Sequence, residues 1–243
     1  MATERNAHRR TVRRAGAVLA AVMLVACGVP TATPSPSPAP SAFAFQPLWP
    51  FASQQEADDW LNGQAAAGHS PWHADAKATA LFFTQNYLGF TEVDRTTTVA
   101  EEPGEAWVGV GYPLPDARSA TVATIHLARF GPRPYAPWEV VGTRDDVLTL
   151  ETPPYGSTAA SVIEAGGVIT GVDESMHLQV RQSTQAGVLG EDCCAAAGGE
   201  AQPWSARATM TSPPQPGALT LVVWTGGHVA TVEKFAVTGL RAQ

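Results

Sequence analysis

Positive charge is scarce in this chain. Its 243 residues hold 15 lysines and arginines against 22 acidic residues, a net charge of −7, and only Lys77 and Lys234 are lysines. So acidic a chain lacks the basic face that tracks a nucleic-acid backbone, and it has no electrostatic pull toward anionic lipid. Long apolar runs are also missing. The longest, Ala15 to Ala26, spans 12 residues, short of the ~20 that cross a bilayer. Recognisable catalytic signatures are absent as well: there is no Gly-x-Ser-x-Gly elbow, His-Glu-x-x-His helix, phosphate loop or dinucleotide fingerprint. Cysteine is limited to Cys27, Cys193 and Cys194. These absences point away from an enzyme and from a resident metal or cofactor.

What is present begins at the N-terminus. A basic head (Arg5, Arg9, Arg10, Arg13, Arg14) leads into the apolar run and ends at Leu24-Val25-Ala26-Cys27. That is the layout of a secretory signal over residues 1–26, with a cysteine at the cleavage point. The tetrapeptide resembles the lipobox of bacterial lipoproteins. The resemblance implies that the Cys27 thiol carries a thioether-linked diacylglycerol and becomes the new N-terminus. Each buried methylene of such chains contributes about 0.8 kcal/mol, so two or three acyl chains hold a domain on a bilayer. The implied address is the outer face of the cytoplasmic membrane. Tandem arginines at 9–10 and 13–14 suggest twin-arginine export, but Ala15-Gly16-Ala17 fits that pattern poorly and favours the Sec route. Loss of residues 1–26 leaves ten basic and 21 acidic residues, a net of −11.

Cys193 and Cys194 are adjacent, and with Cys27 acylated they have no third partner. Three states compete: a vicinal disulfide, an intermolecular bridge, or two free thiols. The neighbours Glu191 and Asp192 disfavour a thiolate. A kink in a structural loop is therefore the favoured role, ahead of a redox switch or a rigid plate for stacking a ligand.

Composition divides the rest. Residues 27–46 are rich in Pro, Ser, Thr and Ala. Such a stretch stays extended, spaces a domain from the membrane at ~3.1 Å per residue, and buries no core. Residues 47–150 then read as an α+β domain. Ser53-Gln54-Gln55-Glu56 is a capping box in which the serine oxygen takes an orphan amide and the glutamate returns to the cap amide. A second helix is expected from about Ala74 to Leu88, with Ala74, Ala78, Leu81, Phe82 and Leu88 inward and Gly89 as its stop. From Glu92 the period changes to two. Ala106, Val108 and Val110 alternate with Trp107 and Gly109, and Ala123, Ile125 and Leu127 alternate with Thr124 and His126. Strands at Trp138–Thr143 and Val147–Glu151 follow, on either side of Arg144-Asp145-Asp146. The order is similar to a cone-shaped fold of the nuclear-transport-factor-like kind.

Residues 152–243 carry short alternating stretches instead: 167–170, 176–181, 205–211, 218–224 and 229–238, separated by Gly, Pro and Ser. They predict a β-sandwich. The fold class is therefore mainly β with an α+β first half. The run Thr152-Pro153-Pro154-Tyr155-Gly156-Ser157, the stretch Gly166 to Glu174, Pro203-Trp204-Ser205 and Gly227 to Gly239 resemble the immunoglobulin-like domain of bacterial spore-germination lipoproteins. This resemblance implies an extracellular sandwich serving adhesion or assembly. The tandem layout also resembles that of actinobacterial lipoproteins.

Candidate sites are few. His73-x-Asp75 reads as a first-turn acid beside a histidine rather than half a metal site. Glu174-x-x-His177 has ligand-like spacing only on a helix, whereas on a strand the two side chains diverge. His126 reads as half-buried and hydrogen-bonded, His228 as a turn residue, and Asp145-Asp146 as a solvated tip. Of seven tryptophans most should be core. The stiff loop Gly131 to Pro137 offers Arg133, Tyr135 and the adjoining Trp138 as a contact surface. The expected function is non-enzymatic docking of an envelope protein partner through the immunoglobulin-like domain. The alternative is a carrier or sensor with a small-molecule pocket in the α+β half.

Overall fold

The computed structural model describes residues 43–227 and 229–243, without the side chains of residues 172–174. The expected signal segment, Cys27, the expected tether up to residue 42 and His228 lie outside the described residues. Among the described residues, no helix is long and apolar enough to cross a membrane.

The helical part forms as its sequence dictates locally and departs where packing intervenes. Helix α1 (Gln54–Asp59) starts at Ser53, whose side chain accepts from the Glu56 amide. Glu56 returns one residue earlier than a capping box requires, accepting from the Ala52 amide at 2.7 Å. Asp75, expected in the first turn, instead caps α2 (Ala76–Phe82) by accepting from the amides of Lys77 and Ala78, an N-cap acid meeting orphan donors. A π-helical turn, Phe83–Tyr87, continues α2, and Gly89 follows at φ +85°. The buried face is one position out of step with expectation. Ala76, Thr79, Ala80, Phe83 and Thr84 point inward, while Phe82 is exposed and stacks on Trp72. Phe82 and Phe83 fit a helical stripe equally well. The core has room for Phe83, and the wider turn brings Leu88 in behind it.

Strands β1 (Arg95–Glu102), β2 (Glu105–Pro113), β3 (Ser119–Arg129) and β4 (Trp138–Arg144) form an antiparallel meander in that order. Its inner face carries Ala106, Val108, Val110, Ile125, Leu127 and Val140, which enclose Leu48 and Phe83. The outer face carries Trp107 and His126, a cross-strand pair. The segment expected as a strand at Val147–Glu151 forms no named strand but bridges Leu148 to Ile169, and the Thr149 and Glu151 amides donate to the Val168 and Gly166 carbonyls.

The second sheet, in order β6-β5-β7-β8, comprises β5 (Val162–Arg181), β6 (Val188–Met210), β7 (Gly217–Thr225) and β8 (Lys234–Ala242). The expected short strands 167–170 and 176–181 are one strand, β5. It pairs with β6 along its length but with β7 only over His177–Arg181. Strand β6 turns a corner at Gly198 and Gly199, both at positive φ. Its two ends then meet, and the Thr211 amide donates to the Leu189 carbonyl at 2.7 Å. Cys193 and Cys194 therefore lie inside β6 rather than in a loop. The stretch expected to begin at Val229 becomes strand only from Lys234.

One face of this sheet (Leu178, Val180, Leu219, Leu221, Val223) is covered by Ile163, Ala165, Trp204 and Ala208 from the folded-over ends of β5 and β6. The other face delivers Val222, Phe235 and Val237 to the core under the meander. The described residues thus cluster as one compact unit, mainly β, with the two sheets sharing apolar side chains.

Candidate functional site

The meander's outer surface holds a chain of rings. His126 lies parallel to Trp107, with centroids 5.0 Å apart, and meets Phe45 edge-on at 5.2 Å. Arg144 sits 5.3 Å over the Trp107 ring. Alternation places these groups together: Trp107 on β2 is opposite His126 on β3, and Arg144 closes the row from β4. His126 Nε2 and Glu105 Oε2 are 2.7 Å apart, so His126 is half-buried and hydrogen-bonded as its strand position implied.

Beside this row opens a groove of about 660 Å3, lined by Phe43, Phe45, Glu105, Arg129, Phe130 and Pro132. Composition assigned Phe43 and Phe45 to the tether. They pack on the fold instead, Phe43 against Phe130 at 4.5 Å between centroids. Aromatic side chains in a Pro-rich stretch were the signal that the tether ends early. The loop of the predicted contact surface lines the same groove through Gly131 and Pro132, and the surface itself is smaller than expected. Tyr135 is 60% exposed and Arg133 is exposed, whereas Trp138 is buried at 2%. Trp138 belongs to the core because it starts β4 on the inward side, and it is capped by the Arg129 guanidinium 3.8 Å over its ring. Burial lowers the Arg129 pKa from its ordinary value, while that guanidinium also donates to the Ala136 carbonyl at 2.7 Å and so fixes the loop.

A second constellation involves β5, β6 and β7. His177 is opposite Cys193 on one side and Trp224 on the other. Its ring lies parallel to Trp224 at 5.0 Å. Cys193 and Cys194 are joined by a disulfide. One ligand atom from each of His177, Cys193 and Cys194 falls within a 4.8 Å group. From sequence, His177 has only Glu174 at ligand-like spacing, a pair that diverges on a strand, and this cluster is hidden because strand register is not written in local spacing.

The remaining candidates occupy separate environments. His73 is buried among Phe51, Trp60 and Trp72, and desolvation lowers its pKa from 6.5 to about 4. Glu139, on β4, is fully buried. Its Oε2 accepts from the Phe51 amide at 3.1 Å. Desolvation raises its pKa well above the ordinary value, opposed by backbone hydrogen bonds from Phe51 and Trp49. Among the described residues His73 Nδ1, Glu139 Oε1 and Trp60 Nε1 have no hydrogen-bond partner. Asp145 is not a solvated tip: it accepts from the amides of Val147 and Leu148 and reaches Lys234. His73, His126 and Asp145 therefore do not assemble into one acid–base site. No protein-family model, curated protein or solved structure matches this chain.

Proposed function

We propose that this protein is a lipid-anchored envelope lipoprotein that docks a partner protein without catalysing a reaction. The anchor is diacylglycerol on Cys27, and the immunoglobulin-like reading of residues 152–243 supplies an extracellular scaffold. The observation that carries docking is the open aromatic groove at Phe43, Phe45 and Phe130, whose lining residues Gly131 and Pro132 begin the loop that carries the exposed Tyr135. An exposed aromatic beside a concave apolar patch is the kind of feature that anchors a protein interface, and the acidic chain favours a basic partner surface. The separation of His73, His126 and Asp145 supports the non-enzymatic reading.

The test is site-specific photocrosslinking in intact cells. A photoreactive residue at position 135 should form a saturable adduct with one envelope protein. The same residue at position 229, where Val229 is 72% exposed, should not. Equal labelling from both positions, or none from 135, would sink docking at this groove. Cys27→Ser should abolish acylation; unchanged palmitate labelling would remove the anchor.

A second reading rests on the groove's size. About 660 Å3 lies within the ~300–1,000 Å3 typical of small-molecule sites. A small apolar ligand that blocks crosslinking at 135 would favour a carrier or sensor.

A further inference from the structure

The adjacent cysteines sit where the strand register slips. Along β5, His177 pairs with Cys193 and Met176 pairs with Ala195, so Cys194 is the extra residue of a β-bulge. In a regular strand, neighbouring side chains point to opposite faces. A bulge re-aims one of them, and here both sulfurs come within reach of the His177 ring. Trp224 covers that ring with a parallel stack at 5.0 Å, which limits the imidazole's rotation.

The bond itself does little to hold the chain together. A disulfide stabilises mainly by closing a loop in the unfolded chain, and the effect grows with loop length. This one joins residues with a sequence separation of 1, so it closes almost none. Both cysteines lie toward solvent and His177 is half-buried. An accessible pair that staples nothing, opposite a fixed imidazole, is a chemical site more than a structural one.

We infer that Cys193, Cys194 and His177 form a redox-gated site for a thiophilic divalent metal cation with a filled d shell. In the disulfide state the sulfurs are bonded to each other and the site is closed. A dithiol opens it: two electrons and two protons pass to the protein disulfide, the S–S bond breaks, and the reductant leaves as its own disulfide. A divalent cation then replaces the two thiol protons and takes one imidazole nitrogen as third ligand. Two thiolates and one imidazole leave a fourth position open to water, which suits zinc: soft thiolates and imidazole are its preferred ligands. Ligand atoms grouped within 4.8 Å can share one ion once the S–S bond is broken and the sulfurs part to the ~3.8 Å spanned by two Zn–S bonds of about 2.3 Å at a tetrahedral angle. The cluster shares no residue with the lining of the docking groove.

The test uses the full chain carrying Cys27→Ser, so that every remaining thiol belongs to the site. The protein is reduced with a phosphine, freed of reductant under nitrogen, and titrated with zinc ion against a chromophoric chelator. The oxidised protein is titrated alongside. The reduced form should take up one zinc ion per chain and the oxidised form none. Cobalt(II) in place of zinc should give a thiolate-to-cobalt charge-transfer band in the reduced form alone. His177→Ala removes a ligand and should weaken zinc binding by more than the ~10–100-fold that loss of an outer-shell partner costs. Equal uptake in both redox states, or no charge-transfer band after reduction, would overturn the site. Unchanged affinity in His177→Ala would overturn the three-ligand set. The redox comparison needs no substitution at the site, so it decides even if a variant fails to fold.

Discussion

Lys234, at the start of β8, donates a hydrogen bond to the backbone oxygen of Thr121 on β3 at 3.0 Å. The same ammonium lies 3.4 Å from Asp145 Oδ2, whose side chain is 8% exposed. One of the chain's two lysines thus joins the last strand of the second sheet to the meander, at the edge of the core to which Phe235 and Val237 also contribute. Removing the ammonium leaves a largely buried carboxylate and a carbonyl without this partner. Lys234→Ala should cost about 1–3 kcal/mol in denaturant unfolding.

The shared core couples the two halves in unfolding. Phe90 packs on both Trp224 and Phe235, and Tyr87 donates to Thr220 at 3.1 Å. Neither half can lose its packing without exposing apolar surface of the other. Calorimetry should record a single unfolding transition, and Tyr87→Phe should lower its midpoint without splitting it, at a cost of ~1 kcal/mol. Two separate transitions would mean that the halves fold independently.

Stability should vary with pH on the acid side through His73. Its pKa is lowered from 6.5 to about 4 by burial. The unfolded chain therefore binds a proton near 6.5 while the folded one refuses it until about 4. Stability from this group is fully present above the unfolded value and is lost as pH falls through that window, by up to ~3 kcal/mol. His73→Phe should flatten this limb of the stability–pH curve.

Glu139 acts in the opposite direction. Desolvation raises its folded pKa, so its contribution is fully present below the ordinary carboxylate value and is lost as pH rises through the raised one. Glu139→Gln keeps an acceptor for the Phe51 amide and carries no charge to bury. The variant should match wild type in acid and exceed it at alkaline pH, with the gap widening as pH rises. Denaturant melts of both proteins across the range would check this.

Gly111 on β2 is a position of close approach. A methyl group there would run into the carbonyl of Ala120 on β3. Gly111→Ala should force the two strands apart and cost about 1–3 kcal/mol, the range for overpacking. An unchanged midpoint would show that the strands have room to yield.

Local physics explains what could be read in advance. The Ser53 cap and the Gly89 stop each depend on hydrogen bonds or dihedrals within a few residues, and each occurs where the sequence placed it, whereas Asp75 is the cap of a helix that starts two residues later than expected. Alternation in β2 and β3 likewise set their inner and outer faces, so the pairing of Trp107 with His126 follows once those strands are adjacent. The choice between Phe82 and Phe83 was not legible, because both satisfy the helical period and only the space beneath the sheet selects one. Trp138 was misplaced on the surface for a similar reason. Its proximity to an exposed loop says nothing about which side of β4 it faces.

Interactions between neighbours along the chain set the mainly β character, the start of the first helix and the alternating faces of the meander, and these were legible in the sequence. Tertiary structure decided the fold-back of β6, the sharing of one core by two sheets, and the meeting of His177 with Cys193 and Cys194. Those features depend on register between segments far apart in sequence. A shift of one residue in that register turns a side chain to the opposite face.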